Sequence, residues 1–241
     1  MELKIFETSE QLDVYAAELF TKLINEKPNA VLGLATGSTP IGIYEKMVES
    51  YHQKKVSFKG VTTYNLDEYV GLTPDNDQSY AYYMNKHLFS RVDIPSGQAH
   101  LPNGMAEDPE AECKRYDAML NERPADIQLL GLGHNGHIGF NEPDDKLTAG
   151  THVVKLKEET REANARFFAS IDEVPREAVT MGVGSILKAN TILLVVRGSD
   201  KARIVKEALT GPITTQVPAS LLQTHPRLIV LVDREAGRFL E

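Results

Sequence analysis

Apolar positions recur along this chain in two rhythms. After Thr8 and Ser9, both suited to cap a helix, Leu12, Tyr15, Ala16, Leu19, Phe20, Leu23 and Ile24 follow helical spacing and predict an amphipathic helix. Downstream come short, β-rich apolar runs: "AVLGLAT" (30–36), "VTTYNL" (61–66), "ADIQLLGLG" (125–133), "AVTMGVG" (178–184), "TILLVV" (191–196) and "RLIVLV" (227–232). They read as strands. Between most of them lie helix-like segments: "IGIYEKMVES", "SYAYYMNKHLF", "DPEAECKRYDAML", "TREANARFFASI" and "SDKARIVKEAL". Strands alternating with helices predict an α/β chain with a mostly parallel sheet covered on both faces.

Polar, glycine-rich segments fall just past the ends of these strands: "TGSTP", "DEY", "GHNGH", "GS" and "RGSDK". Open α/β sheets bind ligands outside the carboxyl ends of their strands, so these segments can converge on one site. The 241 residues contain no linker-like stretch, repeat or low-complexity tract, and 1–241 reads as a single domain. Composition narrows the setting. Cys113 is alone and cannot form an internal disulfide, and "MELKIFETSE" has no basic stretch leading an apolar signal core, which points to the cytoplasm. The longest apolar strings are far shorter than the roughly 20 residues that span a bilayer, so no membrane partner is expected. With 34 acidic against 26 basic residues, the net charge of -8 repels nucleic acid and leaves any anion site to be built locally.

The motifs carry the chemistry. "GLGHNGHIGFNEP" (131–143) contains G-x-G-x-x-G, but Gly139, Pro143 and Gly150 interrupt the helix that a dinucleotide fingerprint needs. Within it His137 can take and give a proton near neutral pH, with Asn135 and Glu142 near enough to orient it; a histidine satisfied by backbone is the plain alternative. A metal reading would use His134, His137 and Glu142, but their spacing is not H-E-x-x-H and no metal is expected. "ATGSTP" sets Thr36, Gly37, Ser38 and Thr39 before Pro40, a loop that exposes N–H groups and hydroxyls to an anion and in which Thr39 can cap the next helix. It lacks the G-K-[ST] ending of a nucleotide loop, so a single phosphate fits better, although a plain capped turn has the same look. "NLDEYVGL" (65–72) places Asp67 and Glu68 at a strand end, where alternation turns only one toward a ligand. A carboxylate in a partly dry cleft can act as a base; on a surface turn it is only a charge. Arg166 and Lys201 are either solvated or cationic partners of the anion loop.

Taken together, "LGLATGSTP", "NLDEYVGL", "GLGHNGHIGFNEP", "TREANARFF", "VGSILKA", "GSDKA" and "SLLQTHP" resemble the glucosamine-6-phosphate deaminase (glucosamine-6-phosphate isomerase) family along nearly the whole chain. The resemblance implies a Rossmann-like three-layer fold, a sugar phosphate as small-molecule substrate and no cofactor. It implies conversion of D-glucosamine 6-phosphate and water to D-fructose 6-phosphate and ammonia. Under it Asp67 is the base that moves the C2 proton to C1, and His137, oriented by Glu142 and Asn135, opens the ring. Thr36, Gly37, Ser38, Thr39, Arg166 and Lys201 become the phosphate clamp.

Two departures shape further expectations. Some members have aspartate where this chain has Asn135. Allosteric hexameric members use serine, arginine and lysine where Asp145, His152 and Val154 stand here, and have a longer tail than "REAGRFLE". Weak or absent allosteric activation and a monomer or small homo-oligomer follow. The charged stretch 144–176 is expected to be a mobile lid. The rivals are 6-phosphogluconolactonase, which needs no C2 base, and the sugar-phosphate-sensing domain of transcriptional regulators. "LDEYVGL" and "GFNEP", and the three residues Asp67, His137 and Glu142, favour the deaminase.

Overall fold

The computed structural model describes residues 1–165, 168 and 170–240. In chain order the elements are β1 (Glu2–Phe6), α1 (Ser9–Glu26), β2 (Val31–Leu34), α2 (Ile41–His52), β3 (Thr62–Asn65), β4 (Asp67–Tyr69), α3 (Tyr80–His87), β5 (Ala99–His100), α4 (Pro109–Glu122), β6 (Ile127–Leu130), β7 (His152–Lys155), α5 (Glu158–Ala165), β8 (Glu177–Thr180), α6 (Val183–Leu187), β9 (Ile192–Val196), α7 (Ala202–Thr210), β10 (Leu228–Asp233) and α8 (Arg234–Gly237), joined by short 3-10 turns. Seven strands form a parallel sheet in the order β1-β10-β9-β6-β2-β3-β5, flanked by helices. The mostly parallel α/β architecture read from the alternation is therefore present.

The physical reason lies in the central strands. β2, β6 and β9 are buried at every position, as continuous apolar runs must be when helices cover both faces. α1 begins where the sequence indicated: the Thr8 hydroxyl accepts from Gln11 N, and Leu12, Ala16, Phe20 and Ile24 face the core. Strand order reverses between β2 and β6, because the chain proceeds from β2 to β3 on one side and from β6 to β9 on the other. Such a reversal opens a crevice at the carboxyl ends of the two strands.

Several expectations are corrected. The run 178–184 is not a strand of the parallel sheet. Its first part is β8, which pairs antiparallel with β4 and β7 in a separate three-stranded sheet, and its remainder turns at Gly182 into α6. Apolar content specifies a buried strand without naming its partner, and the partners here lie far away in sequence. "DEY" is not a turn beyond β3 but β4 itself; β5 and β7 carry too few apolar residues to stand out, and β1 alternates charged with apolar residues instead of forming a continuous apolar run. Thr39 does not cap α2: Pro40 holds that position with an αR backbone, and no side chain bonds to the cap. Arg166 lies outside the described residues.

Candidate active site

The loops that follow β2 and β6 leave the sheet side by side at the strand-order reversal. In the first, Tyr44 is fully buried on α2; its hydroxyl donates to Ala35 O (2.6 Å) and accepts from Ala35 N (3.1 Å), which fixes the strand end. Beyond it Gly37 and Ser38 are exposed, Thr36 and Thr39 are half-buried, and Gly37 takes φ +90°, a conformation that needs glycine. The Thr39 hydroxyl points across to the second loop, where a methyl group added at Gly131 would stand 3.8 Å away. Lys201 arrives from the turn after β9, and its ammonium donates to Leu132 O at 2.9 Å. Removal from water lowers its pKa, an effect that Asp200 opposes.

The second loop holds an oriented imidazole. His137 Nδ1 lies 2.7 Å from Asn135 Oδ1 and 3.3 Å from Glu142 Oε1, two acceptors that assign the proton to Nδ1 and leave the lone pair on Nε2. Asn135 Nδ2 donates to Glu142 Oε2 at 2.5 Å, so the amide bridges ring and carboxylate. Burial works to raise the Glu142 pKa, yet its hydrogen bonds with His137 and Asn135 hold it below the usual range. Gly133 lies under the ring: a Cβ there would come within 2.2 Å of His137 Cε1. The three residues of the metal reading do not gather, since His134 turns away and pairs with Asp200 at 2.5 Å.

Asp67 and Glu68, adjacent on β4, have opposite fates. Glu68 accepts N–H bonds from Tyr69 (2.9 Å), Tyr80 (2.9 Å) and Ala81 (2.8 Å), which anchors the start of α3. Its burial raises the pKa and those three donors oppose the rise. Asp67 is 6% exposed and faces the second loop, where a methyl group added at Gly139 would stand 3.5 Å from Oδ2. Burial, reinforced by the Glu68 charge, pushes its pKa up to about 8. Tyr69, Tyr80 and Phe140 form an aromatic wall at this end, with ring centroids 4.8 to 6.2 Å apart.

Other contacts hold the two sheets in register, and local sequence pattern gave no sign of them. Phe140 N donates to the Thr180 hydroxyl, Asn141 Nδ2 to Ile138 O and Met181 O, and Met181 N to Leu66 O. On α1, Asp13 forms a fork-shaped ion pair with Arg197 at the end of β9. Apart from the Asn141–Ile138 bond, each partner is remote in sequence, which is why periodicity missed it. The charged stretch 144–176 is anchored in its first part: Thr151 gives two bonds to Asp117, and β7 is paired to β8.

An exposed N–H loop, a buried carboxylate and an oriented imidazole thus share the crevice of a parallel sheet. The chain belongs to the family of glucosamine-6-phosphate isomerases and 6-phosphogluconolactonases, matching it over residues 6–230. Within that family it is 48% identical to a glucosamine-6-phosphate deaminase of Clostridium perfringens, with 100% of both chains covered. It is 53% identical to that of Lachnoclostridium phytofermentans over 90% of this chain and 92% of the relative. A solved monomeric glucosamine-6-phosphate deaminase superposes with a TM-score of 0.94 at 47% identity over 99% of each chain. A 6-phosphogluconolactonase from Thermotoga maritima shares the fold, with a TM-score of 0.75 over 96% of this chain and 99% of that one, at 23% identity.

Proposed function

We propose that this chain converts D-glucosamine 6-phosphate and water to D-fructose 6-phosphate and ammonia. The carrying observation is Asp67, a buried carboxylate with a pKa of about 8 set against the loop that orients His137. Reversible proton transfer at a carbon beside a carbonyl needs such a base, because a pKa near the working pH allows it both to take and to return the proton. Lactone hydrolysis has no use for it.

The sugar phosphate lies with its phosphate against residues 36–39 and Lys201, with Arg166 as a further partner. His137 Nε2 takes the C1 hydroxyl proton and returns it to the ring oxygen, opening the ring while Glu142 and Asn135 steady the imidazole. Asp67 then removes the C2 proton while the C2 ammonium gives one of its protons to O1, leaving an enolamine; Asp67 returns its proton to C1, and water adds to the resulting C2 iminium so that ammonia leaves and C2 becomes the carbonyl. The substrate ammonium at C2 stands beside Asp67 and favours its ionised form on binding.

The chain acts as a single cytoplasmic domain and as a monomer, in keeping with the monomeric relative. Among the described residues no helix is long and apolar enough to cross a membrane. Allosteric activation is weak or absent, because Asp145 is an acid and Val154 packs against the small core of Tyr69, Phe140, Leu156 and Ala178, which leaves a second phosphate poorly served. The proposed lid around 144–176 is anchored at residues 151–155, and its residues 166, 167 and 169 lie outside the described residues. Slower proteolysis of that stretch with a substrate analogue is the expected result.

The deciding experiment is ammonia release from glucosamine 6-phosphate with chelator present and no nucleotide, beside Asp67→Asn. Release that collapses in the variant is expected. No release from folded protein, with lactone hydrolysis instead, would overturn the reading.

A further inference from the structure

α3 touches both ends of the crevice. At its first turn the N–H groups of Tyr80 and Ala81 are held by Glu68, the neighbour of Asp67 on β4. One turn on, Tyr83 donates its hydroxyl proton to Gly37 O at 2.6 Å. The helix therefore spans from the strand of the base to the tip of the 36–39 loop.

The Gly37 bond matters because of peptide geometry. The Gly37 carbonyl and the Ser38 N–H belong to one planar unit, and no peptide bond here is cis, so the two groups point in opposite directions. Holding the carbonyl on Tyr83 turns the Ser38 N–H away from α3, toward the open side of the loop. Among the described residues, chain neighbours aside, no heavy atom lies within 4 Å of the position a Cβ would take at Gly37. Burial of the Tyr83 ring raises its pKa, so the hydroxyl stays a donor.

We infer that Tyr83 is a positioning residue for the substrate phosphate: it fixes the Ser38 N–H toward the anion and, through α3 and Glu68, fixes the phosphate loop relative to Asp67. The inference rests on the reading of residues 36–39 and Lys201 as the phosphate site. Tyr83 touches no reacting atom, and its effect is carried by the orientation of one peptide group.

The test compares Tyr83→Phe with Lys201→Met, using glucosamine 6-phosphate as substrate and inorganic phosphate as competitive inhibitor. Loss of one oriented hydrogen bond predicts that Tyr83→Phe raises both KM and the phosphate Ki about five-fold, with kcat changed by less than about two-fold. Lys201→Met should raise the same Ki by a larger factor. If Lys201→Met weakens phosphate while Tyr83→Phe leaves KM and Ki unchanged, the Tyr83 inference is wrong and the phosphate site stands. A lowered melting temperature with unchanged Ki would assign Tyr83 a structural role only and also overturn it. If neither variant alters phosphate inhibition, the phosphate reading fails and takes the Tyr83 inference with it.

Discussion

The two ends of the crevice are built by different means. At the proposed phosphate end the working groups are the backbone N–H groups of a short exposed loop, joined by the ammonium of Lys201, beyond the carboxyl ends of the interior strands β2 and β9. At the end of the proposed base the working group is one side chain, Asp67, carried by the antiparallel sheet of β4, β8 and β7 beside the aromatic wall of Tyr69, Tyr80 and Phe140. Backbone donors are supplied by the turn itself and need distant partners, Tyr83 and Lys201, only to aim and complete them. A carboxylate with a raised pKa needs surroundings that exclude water, and those come from separate parts of the chain. The comparison teaches that binding groups can be encoded locally and aimed by folding, while the environment of a proton-transfer group is made by tertiary packing altogether.

Removing the base should break the second end alone. Asp67→Asn should lower kcat by about 10²–10⁴-fold, the contribution typical of a positioned base, and leave the phosphate Ki within about two-fold. Steady-state ammonia release with phosphate as inhibitor measures both. Gly133→Ala should come next, because its methyl group would displace the His137 ring: a misplacement of about 1 Å predicts a roughly 100-fold loss of kcat. KM should change little, since the phosphate loop is untouched.

The base end should also report itself through pH. With Asp67 as the proposed base, catalysis requires its ionised form, so kcat/KM should fall about ten-fold per unit as pH drops below about 8. Stability runs the other way. The folded protein holds the Asp67 proton from its ordinary value of 3.8 up to about 8, so it is favoured at low pH and loses that advantage as pH rises through 8. Asp67→Asn should therefore melt at least about 4 °C above the native chain at pH 8.5, with the gap closing near pH 4. Melting curves at the two pH values test this; an equal gap at both would remove burial as the cause of the raised pKa.

The smallest effect is expected at Asn135. Asn135→Asp removes the donor to Glu142 Oε2 and sets two carboxylates against each other while keeping an acceptor for His137 Nδ1. A change of about three-fold in kcat/KM, with a raised Glu142 pKa in the pH profile, is the expected outcome. A loss as large as that of Gly133→Ala would mean that the amide itself is needed.

The sequence by itself determined the helix of Leu12 to Ile24, the alternation of buried strands with helices, and the candidate residues, because periodicity, capping and loop chemistry are local properties. His137, Asn135 and Glu142 lie within one short segment, so their meeting could be foreseen. Tertiary structure alone decided that residues 177–180 join a second sheet, that Asp67 and not Glu68 faces the His137 loop, and that Tyr44 and Tyr83 hold the chain at Ala35 and Gly37 from two helices. The physical reason is common to all three. Strand pairing, burial and the hydrogen bond from Tyr83 to Gly37 depend on partners brought close only by folding, and no local rhythm of apolar residues names them.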